Sequence, residues 1–173
     1  MAAYFLDTST VVKRYVREIG TSWVQALAAP AAGHSLIVVR ITLAETVAAV
    51  TRRERTGHTS PQEAARALGD FQLDFARQYF IIEVSAGLVA EAASLARRHG
   101  LRGYDAVQLA AALEVHANVP SLTLLSADAN LNTAAAGEGL LVDDPKEVDG
   151  RDFVQSTTST VSERIHRSPM LDP

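Results

Sequence analysis

The chain predicts an α/β sandwich, a central and mostly parallel sheet of four to five strands with helices on both faces. Three observations predict it. Short apolar runs alternate along the chain with longer stretches of helical period. The length, 173 residues, suits one domain with a sizeable core. The composition, 47% hydrophobic and 21% charged, is that of an ordinary globular protein.

The elements follow in order. Ala3-Tyr4-Phe5-Leu6 reads as a buried strand ending in Asp7-Thr8-Ser9. Helical patterns over 10–18 and 21–29 follow, and Pro30 to Gly33 breaks them. Leu36 to Val39 is a second strand, then a helix over 42–56 ends at Gly57, a residue suited to a C-terminal cap. Ser60-Pro61-Gln62-Glu63 is a capping box with proline at the first helical position, opening a helix to about Tyr79. Phe80 to Val84 is the third strand. Helices over 87–99 and 104–117 come next, then a strand over 122–125, a short helix over 127–136 and a possible fifth strand at 140–142. A unit over 1–145 is expected, with a polar C-terminal tail, 146–173, flexible or ordered by a partner.

Cysteine is absent, which excludes disulfides, zinc ribbons, iron–sulfur clusters and thiol nucleophiles. The longest strongly apolar run, Leu36-Ile37-Val38-Val39, is far shorter than the roughly 18 residues a membrane helix needs. Asp7 interrupts the apolar start and no basic segment precedes it, so a soluble, cytoplasmic protein is expected. The net charge of -4 hides an asymmetry: residues 1–102 carry +3 and residues 103–173 carry -7. Basic clusters around Lys13 and Arg14, around Arg52, and up to Arg102 are candidates for contact with phosphates, against a plain solvated face.

Four acids stand in unusual places. Asp7 ends the first strand, Glu45 sits early in an apolar helix, Asp105 opens a helix rich in Ala and Leu, and Asp128 follows the fourth strand. Right-handed crossovers in a parallel sheet bring all four to the edge formed by the strand carboxyl ends. Carboxylates gathered there repel one another, and a hard divalent cation relieves the repulsion. Oxygen-only ligation points to Mg²⁺ or Mn²⁺, which suits hydrolysis of a phosphodiester. Each acid also has a plain structural role open to it. Asp7 and Asp128 are natural helix caps, Asp105 complements a helix dipole, and Glu45 lies at the border of an apolar arc.

Tyr4-Phe5-Leu6-Asp7-Thr8-Ser9, continuing through Val11-Val12-Lys13-Arg14-Tyr15-Val16 to Glu18, resembles the opening of a PIN-domain ribonuclease, in particular the VapC-like toxins of type II toxin–antitoxin pairs. Leu43-Ala44-Glu45 resembles that family's second acidic motif, and Gly103-Tyr104-Asp105-Ala106-Val107-Gln108-Leu109-Ala110 its third. Leu124-Leu125-Ser126-Ala127-Asp128 resembles its closing segment. The motifs run in order from residue 3 to about 145. The resemblance implies a PIN-like three-layer sandwich in which Asp7, Glu45, Asp105 and Asp128 are catalytic and hold one or two Mg²⁺ or Mn²⁺ ions. It implies that Ser9 and Ser126 orient ligands or water behind them. It further implies an RNA substrate, with Lys13, Arg14, Arg52 and Arg102 as candidate contacts, a homodimer, and a small inhibitory antitoxin. Residues 146–173 have no counterpart in it.

Other designs fit less well. A haloacid-dehalogenase-like phosphatase wants a second aspartate two positions after the first, where this chain has Ser9. Neither a G-x-S-x-G elbow nor a P-loop lysine motif occurs, and the five histidines lack metal-ligand spacing. A receiver-like domain needs paired acids after the first strand and a late lysine, but Asp7 has no adjacent acid and neither Lys13 nor Lys146 follows a suitable strand. Two alternatives stay open at this point: an inactive PIN scaffold that binds RNA or protein, and a PIN nuclease of RNA maturation or decay outside a toxin–antitoxin system.

Overall fold

A computed structural model describes residues 1–147. Its centre is a five-stranded sheet in the order β3-β2-β1-β4-β5, every adjacent pair parallel. The strands are β1 (Ala3–Leu6), β2 (Ser35–Val39), β3 (Phe80–Ile82), β4 (Thr123–Leu125) and β5 (Leu141–Asp143). The helices are α1 (Thr8–Tyr15), α2 (Thr21–Ala28), α3 (Thr42–Arg55), α4 (Pro61–Arg77), α5 (Ala86–His99), α6 (Gly103–His116) and α7 (Ala129–Gly137), with a 3₁₀ turn at Pro30–Ala32.

Register and strand periodicity divide the core. Phe5 lies opposite Ile37 and Leu124 across the sheet. These three and Val39 point into one apolar layer with Leu88 and Leu95 of α5, Leu109 of α6 and Leu131 of α7. Their neighbours Leu6, Leu36, Val38 and Leu125 face the opposite layer, where they meet Val11 of α1, Leu27 of α2, and Phe71 and Phe75 of α4. Alternate residues of one strand therefore feed two cores, which requires helices on both faces. A third cluster, Val12, Val16, Val50, Ala64 and Ala67, joins α1, α3 and α4.

The capping box reads as expected: Ser60 N donates to Glu63 Oε2 (2.9 Å) and Glu63 N to Ser60 Oγ (3.3 Å). Element ends differ by a few residues from the sequence reading. Helix α1 begins at Thr8 rather than 10, because the Asp7 side chain accepts from Ser9 N and starts the helix there. Strand β3 stops at Ile82 rather than 84, and β5 runs one residue later than expected. Just beyond the expected unit 1–145, the exposed Lys146 Nζ donates to Ala127 O (2.9 Å). The rest of the expected tail, 148–173, lies outside the described residues.

Gly20 ties this carboxyl segment down. Its φ is +92°, and a Cβ there would stand 2.7 Å from the carbonyl oxygen of Pro145. Gly20→Ala is therefore expected to destabilise the protein by roughly 1–3 kcal/mol from the backbone alone, with the clash adding to it. Urea unfolding of the two proteins measures this.

Candidate active site

Strands β2 and β3 lie to one side of β1, and β4 and β5 to the other, so the chain reverses its lateral direction between β1 and β4. Open parallel sheets bind ligands in the crevice outside the strand carboxyl ends at this switch point. Asp7 and Asp128 follow the two strands that flank it.

Asp7 is 5% exposed, and its Oδ2 accepts from Ser9 N (3.1 Å), Ser9 Oγ (2.6 Å) and Ser126 Oγ (3.2 Å). Ser126 is fully buried at the end of β4, and its Oγ also accepts from Asp128 N (3.0 Å). Ser9 Oγ in turn accepts from Ala127 N (2.9 Å). The two hydroxyls thus lock the segments after β1 and β4 together around one carboxylate oxygen. Burial pushes the Asp7 carboxyl up, against the lowering pull of the Ser9 and Ser126 hydrogen bonds.

Glu45, in the first turn of α3, is held just as specifically. Its Oε2 accepts from Thr8 Oγ1 (2.7 Å) and from Gln108 Nε2 (2.7 Å). Gln108 is fully buried in α6, and its Nε2 also lies 3.0 Å from Thr8 Oγ1 and 3.1 Å from Thr42 Oγ1. Gln108 Oε1 is buried with no hydrogen-bond partner. One amide therefore links α1, α3 and α6 behind the crevice. Sequence reasoning missed Thr8 and Gln108 as parts of the site. A lone amide among Ala106, Leu109, Ala110, Ala111 and Ala112 was the available clue, since a polar group inside an apolar helix needs a buried partner.

Asp105 stands in the first turn of α6 and is half-buried. Burial raises its pKa, the charges of Asp128 and Asp7 raise it further, and Arg102 opposes them. Glu45 is raised first by burial and then by Asp7 and Asp105, while Thr8 and Gln108 oppose it. All four sequence-identified acids thus share one electrostatic neighbourhood. Asp128 also caps α7, its Oδ1 accepting from Asn130 N (2.9 Å) and Leu131 N (3.0 Å). Among the described residues, no three His, Asp or Glu are grouped tightly enough to hold a metal ion as they stand.

The basic residues divide. Arg52 is exposed and lines the crevice beside Thr8, Glu45 and Tyr104, and Arg102 lies beside Asp105. Two of the four candidate RNA contacts, Lys13 and Arg14, are already partnered within the fold. Lys13 is buried and pairs with Glu18 (2.9 Å), which also pairs with Arg53. Arg14 pairs with Asp74 (2.8 Å), donates to Tyr79 Oη and Gln78 Oε1, and stacks near the Tyr15 and Tyr79 rings. Both cations point inward because acids and aromatic rings of neighbouring segments complete them there.

This fold defines an α/β protein with acids placed along the carboxyl edge of its parallel sheet. The PIN domain family matches residues 4–137. Ribonuclease VapC45 of Mycobacterium tuberculosis (strain CDC 1551 / Oshkosh) is 35% identical over 144 residues, which cover 82% of this chain and 95% of that protein. PAE2754 from Pyrobaculum aerophilum has the same fold with a TM-score of 0.59 at 18% identity, covering 87% of this chain and 94% of its own. VapBC2 from Rickettsia felis, solved bound to a DNA fragment from their promoter, gives 0.54 at 18% identity, covering 82% and 98%. The chain belongs to the PIN-domain family.

Proposed function

We propose that the protein is a divalent-metal-dependent endoribonuclease that hydrolyses RNA phosphodiester bonds as the toxin of a toxin–antitoxin pair. The observation that carries this reading is that Asp7 and Asp128 are tied together through Ser126 beside the switch point, with Glu45 and Asp105 close enough to feel the charge of Asp7. Family membership and the 35% identity to a ribonuclease support it.

The donor set suits a hard cation: four carboxylates and neighbouring hydroxyls, with no sulfur. Mg²⁺ usually keeps several waters and takes only one or two carboxylates plus substrate phosphates, so a site without a tight three-ligand cage is compatible with it. Asp7, Glu45, Asp105 and Asp128 are the residues that would hold one or two Mg²⁺ or Mn²⁺ ions. Such an ion polarises a phosphoryl oxygen and makes water a better nucleophile. The protein's own contribution is positional. Ser9 and Ser126 hold Asp7, Thr8 and Gln108 hold Glu45, and Arg52 and Arg102 supply positive charge at the rim for the incoming backbone.

A small antitoxin and a homodimeric state belong to the same proposal. An apolar trough along α3, lined by Leu43, Val47 and Ala48 with Arg40 and Arg55 at its rim, fits an acidic, amphipathic partner segment. No helix among the described residues is long and apolar enough to cross a membrane.

The test uses the purified full chain, free of any partner, on single-stranded RNA. Cleavage is expected in Mg²⁺ or Mn²⁺, with loss in EDTA and recovery when Mn²⁺ is added in excess. Equal cleavage with and without metal overturns the metal-dependent reading.

A further inference from the structure

Tyr104 belongs to the third acidic motif and shares a cleft with Glu45 and Arg52. It occupies the second position of α6, next to Asp105, and is 59% exposed. Its surroundings are specific. It lines a cleft of about 400 Å³ together with Ile41, Ala44 and Ala48 of the α3 region and with Thr8 and Glu45. Arg52 lies on the same cleft and forms no ion pair among the described residues. The cleft therefore reaches one of the four acids, Glu45, and is lined by apolar side chains, one aromatic ring and one free guanidinium.

This combination matches a nucleotide whose base has left its stack. Base–aromatic stacking tolerates any base, because every base presents a π-face. Arginine planes also stack on bases and pair with phosphates. We infer that Tyr104 is the stacking platform of a nucleobase subsite, in which a base next to the scissile phosphate of single-stranded RNA lies against Ala44 and Ala48 while Arg52 holds its phosphate. Tyr104 is then a substrate-contacting residue that selects unpaired over duplex RNA. A paired base has both faces covered by its neighbours and cannot enter.

The inference rests on the ribonuclease reading, and the experiment separates the two. Its first arm does not require cleavage. The chain has a single tryptophan, Trp23, so Tyr104→Trp adds one reporter at the cleft. Titrating a ten-nucleotide single-stranded RNA in Ca²⁺ buffer should quench Tyr104→Trp emission well beyond the quenching seen with the parent protein. The same sequence as a duplex should not. Equal quenching by duplex, or none by single-stranded RNA, overturns the subsite. The second arm is kinetic. Tyr104→Ala should raise KM for single-stranded RNA by about five- to a hundredfold, the loss expected for one stacked base, with a much smaller change in kcat. Tyr104→Phe, which keeps the ring, should recover most of that loss. A Tyr104→Ala enzyme with the parent's KM also overturns it. If the parent cuts no RNA while the reporter is quenched selectively, the nuclease reading fails and the base subsite stands.

Discussion

Asp7→Asn should lower RNA cleavage by about a thousandfold or more while raising the melting temperature of the metal-free protein. The loss follows from the position of the carboxylate at the switch point. In the proposed reaction an ion held by Asp7 would supply several kcal/mol of charge stabilisation, and each 1.36 kcal/mol is tenfold in rate. The gain in stability follows from burial. Asp7 is nearly inaccessible, and its folded pKa lies above the unfolded value, so its ionised form is less comfortable in the fold than in water. A raised acid binds its proton more tightly when folded, so stability increases as pH falls through the folded pKa toward the unfolded one. Above that window the penalty is fully present. Asn keeps the cap on α1 and an oxygen for Ser9 and Ser126, and it carries no charge to desolvate. Thermal melts in EDTA at neutral pH, beside cleavage assays in Mn²⁺, measure both halves. A variant that melts lower and still cuts RNA would show Asp7 to be a cap and nothing more.

That pairing bears on what the sequence made legible. Each acid had a structural reading and a functional one, treated as rivals. In the fold a capping role does not exclude the proposed one. Asp7 caps α1 and Asp128 caps α7 at the carboxyl edge of the parallel sheet, the edge along which open α/β folds form their sites. Capping chemistry and site chemistry ask for the same residue at the same place. The sheet was legible for a similar reason: runs such as Leu36-Ile37-Val38-Val39 are apolar at every position, as strands covered on both faces must be.

Side-chain direction at the surface was not legible. Lys13, Arg14 and Arg17 looked like one basic cluster along the chain, yet only Arg17 is exposed. The partners that turn Arg14 inward, Asp74, Gln78 and Tyr79, lie some sixty residues away on and just after α4. No local pattern announces such an encounter. The support behind Glu45 was hidden in the same way, since Thr8, Thr42 and Gln108 come from three helices and meet only in the fold.

Gln108→Leu tests that support directly. Outer-shell partners of metal-binding side chains are typically worth 10- to 100-fold in affinity or activity. The Mn²⁺ dissociation constant, measured by calorimetry, should rise by about that factor, and cleavage at limiting Mn²⁺ should fall with it. Stability should change little, for two opposing reasons. Leu deletes the bonds from Nε2 to Glu45, Thr8 and Thr42, but it also deletes Oε1, a buried acceptor with no partner that costs about 1–3 kcal/mol to leave unsatisfied. Glu45 is only partly buried, so its freed oxygen can take up water. Gln108→Glu sets the opposite balance. It places a second carboxyl against Glu45 in a fully buried position, so it should destabilise the fold at neutral pH and do so less as the pH falls, the sign expected of an acid whose folded pKa is raised. Parent-like Mn²⁺ affinity in Gln108→Leu would assign the amide to scaffolding alone. A weakened ion with an unchanged melt would make Gln108 the residue that aims Glu45.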